Sequence, residues 1–388
     1  MYRIGTEEIE AVRRVIEAKQ LFKINNGLKE TEHVEAEMRE IFGVKHALFM
    51  TSGHAALVSA LVALGIGPGD EVIVPAYTYI ATAIAVVAAG AMPVIAECNE
   101  TLTIDPEDIE RKITKHTKAI MPVHIQSFPC DMDAIMAIAK KHDLKVIEDA
   151  CQADGGSYKG KRLGTIGDAG ALSFNFYKVI SCGEGGALFT NNRELADKAL
   201  IYHDSSAVAF FGDQLKDVNI QPFCGAEYRV NEISSAILRE QLKKLFPIIA
   251  ELKRNKKYIV DKIADVATLV PSNDPEGGCA TCVALRFESE EKARAFAKSE
   301  GINGTVPADT GKHIYKNWTP IMNKKGALNP LMDPFKMEAN RDIVPDYKPD
   351  MCPKTLDYLA RTVYIGINPD WDKEKLNSVV ENIRAALS

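Results

Sequence analysis

The chain has 388 residues, too many for one small module and enough for one large and one small domain at roughly 150 residues each. Hydrophobic residues make up 46% and charged residues 26%, which excludes a disordered tail or a fibre. Lys+Arg number 47 against 53 Asp+Glu, a net charge of -6, so composition gives no electrostatic case for nucleic acid or an anionic membrane.

The chain opens Met1-Tyr2-Arg3 and reaches Glu7 and Glu8 before any apolar run, unlike the charged-then-apolar layout of a secretory signal, and a cytoplasmic protein is expected. His54 to Leu64 is apolar almost all round and predicts a buried helix, stopped by Gly65-Ile66-Gly67-Pro68-Gly69-Asp70. Strands are predicted at Glu71–Pro75, Met92–Ala96, Ala119–Val123, Lys145–Glu148, Ala171–Phe176 and Gly186–Thr190, with helices such as Met132–Lys141 between several of them. This alternation predicts an α/β fold around a mostly parallel sheet. The longest apolar stretch, Ala83 to Ala96, is broken by Gly90 and Pro93 and falls short of the roughly 20 residues of a membrane span. Leu242 to Ile263 reads as a Lys-rich amphipathic helix. Beyond it shorter runs alternate with turn residues up to a closing helix from Lys373 to Leu387, so a large domain over 1–245 and a small one over 246–388 are expected. The eight Cys are too sparse for a disulfide scaffold and read as free thiols. Cys279-Ala280-Thr281-Cys282 is the lone C-x-x-C, and no second pair with zinc-site spacing follows, so no metal is expected.

Asp149 follows the apolar strand residues Lys145-Val146-Ile147-Glu148, where ligands of open α/β sheets bind, although an Asp there also serves as a helix N-cap. Lys178 is the single basic residue of Ala169 to Leu188; it either snorkels outward or, desolvated, acts as an amine nucleophile towards carbonyls. Thr51-Ser52-Gly53-His54, before the apolar helix, places a small hydroxyl and backbone N–H groups where a phosphate could bind, or is a plain N-cap. Ser173 could add a hydroxyl, and Cys182-Gly183-Glu184-Gly185-Gly186 allows close backbone approach or a simple turn. A nicotinamide dehydrogenase would open its first βαβ unit with G-x-G-x-x-G, which is missing here.

In order, Thr51-Ser52-Gly53, Gly65 to Pro75, Tyr79, Pro122-Val123-His124, Asp131-Met132-Asp133, Glu148 to Ala153, Gly167 to Gly170, Ser173-Phe174, Lys178 and Gly183 to Gly186 resemble the DegT/StrS-type sugar aminotransferases, clearly from about residue 25 to 245 and faintly beyond. The resemblance implies the fold-type I scaffold of enzymes using pyridoxal 5′-phosphate (PLP): a large domain with a mostly parallel sheet between helices, and a smaller C-terminal α+β domain. It implies that Lys178 binds the cofactor covalently and moves the substrate proton, that Asp149 pairs with the pyridinium nitrogen and Gln152 with the phenolic oxygen, and that Tyr79 stacks on the ring. Ser52, Gly53, His54 and Ser173 would hold the phosphate. It also implies a homodimer with shared sites, L-glutamate as donor, and a keto or aldehyde sugar as acceptor. Relatives that dehydrate sugars carry His in place of the Lys, so Lys178 argues for amino transfer; a catalytically silent regulator would lose the Lys or the Asp, and both are present.

The sequence departs from the family's habit at His54, where Thr is usual, at Phe176-Tyr177, where a polar pair is common, and at Glu227, where Asn usually reaches a phosphate. Glu227 would repel a phosphate and is expected to face substrate or solvent. These departures suggest a branch away from nucleotide-sugar enzymes. Within the family the resemblance is strongest to enzymes of a free octulosonate, which implies 8-oxo-3-deoxy-D-manno-octulosonate as acceptor, aminated to 8-amino-3,8-dideoxy-D-manno-octulosonate for lipopolysaccharide; a nucleotide-linked keto sugar is the alternative.

Overall fold

The computed structural model describes residues 2–207, 210 and 220–388. Its frame is a seven-stranded sheet in the order β1 (His46–Met50), β9 (Gly186–Thr190), β8 (Ala169–Ser173), β5 (Lys145–Asp149), β4 (Thr117–Ile120), β2 (Glu71–Pro75) and β3 (Met92–Ala96). Every neighbouring pair from β8 to β3 is parallel, and β9 alone runs against both its neighbours. β2, β8 and β9 are buried at every position, as a sheet covered on both faces requires. This is the α/β class expected from the sequence.

Helices α1 (Thr6–Ala18), α2 (Glu30–Phe42), α3 (Gly53–Ala63), α4 (Ala81–Ala88), α5 (Pro106–Lys112), α6 (Met132–His142) and α7 (Arg193–His203) surround this sheet. Ser52 caps α3 by accepting the Ala55 N–H at 3.0 Å. At its other end Gly65, in the left-handed region at φ 75°, closes the helix through bonds from Gly65 N to Val62 O and from Ile66 N to Leu61 O. The short β6 (Ser157–Tyr158) and β7 (Lys161–Arg162) form a hairpin between β5 and β8.

A 32-residue helix, α8 (Glu232–Ile263), carries Pro247 within it and packs against α1 and α2. It starts ten residues before the predicted Leu242, because its polar first turn is held by α2: Glu232, fully buried, accepts the N–H groups of Glu30 and Thr31 and the Thr31 hydroxyl. The expected division between residues 245 and 246 falls inside this helix. Beyond it, β10 (Cys282–Arg286), β12 (Thr362–Gly366) and β11 (Gly304–Thr305) form a three-stranded antiparallel sheet flanked by α9 (Glu290–Ala297) and α12 (Lys373–Leu387), while α10 (Thr319–Met322) and α11 (Pro353–Ala360) lie in the connections. Among the described residues no helix is long and apolar enough to cross a membrane. The eight cysteines are all free.

Candidate active site

Parallel pairing of β5 with β8 brings their carboxyl ends to the same side of the sheet, and β1, running the same way, delivers Met50 and the start of α3 there. A cavity of about 530 Å³ opens at this place, of a size usual for small-ligand sites. Tyr79, Gln152 and Lys178 line it, together with Asp154, Lys312 and His313.

The adjacent carboxylates Glu148 and Asp149 alternate across β5 and so serve opposite sides. Glu148, fully buried, accepts the N–H groups of Gly164, Ile166 and Gly167 and contacts His124 Nε2 at 3.1 Å, which fixes the loop entering β8. Asp149 accepts the Thr82 hydroxyl at 2.8 Å on one oxygen and the Cys151 N–H at 3.1 Å on the other, so its orientation is set by α4 and by its own turn. It caps no helix: β5 runs into a turn, and the N-cap reading fails.

Lys178 lines the cavity half-buried rather than snorkelling outward. Gln152 is held by the Gln126 N–H, which donates to its Oε1 at 3.1 Å. Tyr79 is 51% exposed and lies 5.8 Å from the His313 ring, leaving a face free for a flat ligand. Burial pushes the His313 imidazole down to about 4, helped by the charges of Lys178 and Lys312, so it is neutral at physiological pH.

The four residues expected around a phosphate gather where α3 meets β8 and β9. A Cβ on Gly53 would fall 2.5 Å from Cys151 Sγ and 3.0 Å from Ser173 Cβ, and one on Gly186 would fall 2.2 Å from the Ser52 carbonyl carbon. Glycine at both positions lets the helix start press against the sheet. Because Ser52 Oγ takes the Ala55 N–H, the amides of Gly53 and His54 are left without an intrahelical acceptor. The His54 ring turns to the Ala81 carbonyl, 3.3 Å from Nδ1, and burial lowers its pKa, opposed by that bond and by the Asp149 charge. An anion at the start of α3 would therefore meet its backbone amide rather than its ring. Glu227 faces neither cavity nor phosphate region: Arg229 pairs with it at 2.7 Å and the Ser205 hydroxyl donates to it.

Sequence reasoning missed Thr82, Asp154, Lys312 and His313. Thr82 was legible, three residues after Tyr79 in the segment that leads into α4. Lys312 and His313 come from a loop of the C-terminal part, 134 and 135 residues beyond Lys178, with no periodic pattern to mark them.

The DegT/DnrJ/EryC1/StrS aminotransferase family matches residues 2–313, and the chain belongs to it. It is 31% identical over 98% of its length, and 94% of the relative's, to the spore coat polysaccharide biosynthesis protein SpsC of Bacillus subtilis. It is 41% identical over 61% of its length, and 62% of the relative's, to the GDP-perosamine synthase of Caulobacter vibrioides. Among solved structures, an aminotransferase from Psychrobacter cryohalolentis superposes with TM-score 0.80 at 28% identity, covering 99% of this chain and 98% of that one. DesV of S. venezuelae superposes with TM-score 0.77 at 28% identity, covering 98% and 94%. The scaffold is fold-type I, and the chain is a PLP-dependent aminotransferase.

Proposed function

We propose that this aminotransferase moves the amino group of L-glutamate onto a free acidic keto or aldehyde sugar, 8-oxo-3-deoxy-D-manno-octulosonate, for lipopolysaccharide. The observation that carries the acceptor class is the charge of the cavity: among the described residues lining it, Lys312 is the one cation besides Lys178. One ammonium matches one sugar carboxylate, whereas a pyrophosphate would call for several Arg or Lys contacts. A nucleotide-linked keto sugar is the second reading, favoured by relatives such as the GDP-perosamine synthase.

The residues present fit the cofactor. Gly53 and Gly186 let the start of α3 lie against β8 and β9, the Gly53 and His54 amides there have no intrahelical acceptor and suit an anion, the oriented Asp149 offers a carboxylate for a ring nitrogen, and Lys178 lines the same cavity as Tyr79. When bound, PLP supplies an aldehyde that condenses with amines and a protonated ring that withdraws electrons. Lys178 Nζ would hold the cofactor and, when free of it, would be the amine placed to take and return a substrate proton. Thr82 keeps Asp149 aimed, Gln152 would serve the phenolic oxygen, and Ser52, Gly53, His54 and Ser173 would hold the phosphate.

We propose a homodimer with shared sites, supported by Phe176 and Tyr177, 64% and 76% exposed beside the cavity. The cytoplasm suits eight free thiols. We keep the division into 1–245 and 246–388, with α8 as the spine common to both parts.

Borohydride reduction with PLP followed by peptide mapping should place the cofactor on Lys178, and L-glutamate should release 2-oxoglutarate in amounts matching the loaded sites. In steady-state assays Lys312→Gln should raise KM for the octulosonate about tenfold, as the loss of one charge-assisted contact implies, and leave PLP binding unchanged. Turnover of a nucleotide-linked keto sugar with no turnover of the octulosonate would overturn the acceptor.

A further inference from the structure

Asp154 is used by nothing above, yet it lines the cavity with Lys178 and is 1% exposed. Neither of its carboxylate oxygens has a hydrogen-bond partner, a costly arrangement for a buried acid. Its backbone is clamped on both sides. The Ala153 carbonyl accepts the Gly156 N–H, Gly155 sits at φ 83°, and the Asp154 carbonyl accepts Cys279 Sγ–H at 3.4 Å. The carboxyl is thus held in place with only the Ser173 N–H turned towards it and no hydrogen bond made.

We propose that Asp154 is a positioning residue for Lys178: whenever the amine is free of the cofactor it turns across the cavity to this unpartnered carboxyl, and the two share one proton. In one form Nζ is an ammonium and the carboxyl is ionised; in the other an N–H bond has broken, an O–H bond has formed, and a neutral amine faces a neutral acid. The pair's net charge is zero in both, so the proton need not enter water for Lys178 to become a base.

Burial drives the Asp154 pKa well above the usual carboxylate range, and the positive charge of Lys178 opposes that rise. The other titratable groups near the pair are Asp149, Cys151, Cys279, Lys312 and His313. Burial holds the Cys151 and Cys279 thiols protonated, and His313 stays neutral above about pH 4, so none of these three mimics the exchange.

The inference rests on Lys178 being the cofactor-bearing amine, and its test is made on the cofactor-free full chain so that the two fail separately. Lys178 is acetylated across a pH series and read by peptide mass spectrometry, with the exposed Lys118 as internal reference. In Asp154→Asn the ammonium loses its counter-charge, and the midpoint for Lys178 should fall by about one pH unit or more, tenfold in free amine, while Lys118 stays put. Asp154→Glu should keep the midpoint close to that of the unsubstituted chain. In the single-turnover reaction of the PLP-loaded chain with L-glutamate, Asp154→Asn should lower the maximal rate about tenfold with the half-saturating glutamate concentration within about twofold. Should the Asn variant not fold, Asp154→Ser gives the same readout. A Lys178 midpoint that stays in place without the carboxylate overturns the pair, whether or not borohydride mapping finds PLP on Lys178.

Discussion

His313 shows how one side chain ties the cavity to stability. Its ring packs near Tyr77 and Tyr79, with centroids 6.3 and 5.8 Å away, and its carbonyl accepts the Thr78 N–H, so the loop carrying it is fixed to the start of α4. The folded imidazole titrates near 4, below the ordinary 6.5 of the unfolded chain, so between these values the unfolded state binds more protons. The stabilisation is therefore fully present above about pH 6.5 and is lost as pH falls towards 4. His313→Gln should flatten that part of the curve: urea midpoints measured at a series of pH values should fall less steeply for the variant, and parallel curves would contradict the assignment.

At the scale of elements, the α3–β8–β9 junction is the tightest part of the site. Gly186 faces the Ser52 backbone, which cannot retreat without moving the helix start, whereas the atom nearest a Cβ on Gly53 is the end of the Cys151 side chain. Gly186→Ala should cost about 1–3 kcal/mol, as overpacked sites do, and weaken PLP binding in fluorescence titrations. Gly53→Ala should be milder in thermal melts and be partly rescued by Cys151→Ala, which Gly186→Ala should not.

The strands at Glu71–Pro75, Met92–Ala96 and Gly186–Thr190 were legible to the residue, because apolar runs bounded by turn signals define them. β8 lies at Ala169–Ser173 rather than the predicted Ala171–Phe176: Gly170, which reads as a breaker, is required where the Gly164 carbonyl packs 2.0 Å from where its Cβ would be. Lys178, Asp149 and Gln152 were legible because each stands in a short motif beside a strand. Asp154 was not, since its significance lies in the partners it lacks, and those belong to tertiary structure.

At the scale of the whole molecule, the exposed aromatics beside the cavity form a connected group: Tyr2 packs edge-on to Phe176 at 5.8 Å, and Phe176 to Tyr177 at 5.4 Å. A second copy is the covering that the proposed homodimer provides. Phe176→Lys should shift the sedimentation coefficient towards the monomer and weaken PLP binding with it; a dimer undisturbed by this charge would place the interface elsewhere.

The reversed strand β9 also sets a timetable for synthesis. Along its length β1 pairs with β9, Met50 opposite Gly186, so that ladder cannot form until 136 further residues have left the ribosome. Closure of so distant a pair is slow, and an apolar strand such as His46–Met50 is exposed to wrong partners meanwhile. The last residues of the sheet to be made thus complete the docking surface for α3, and a nascent chain ending before Gly186 lacks one wall of the proposed phosphate site.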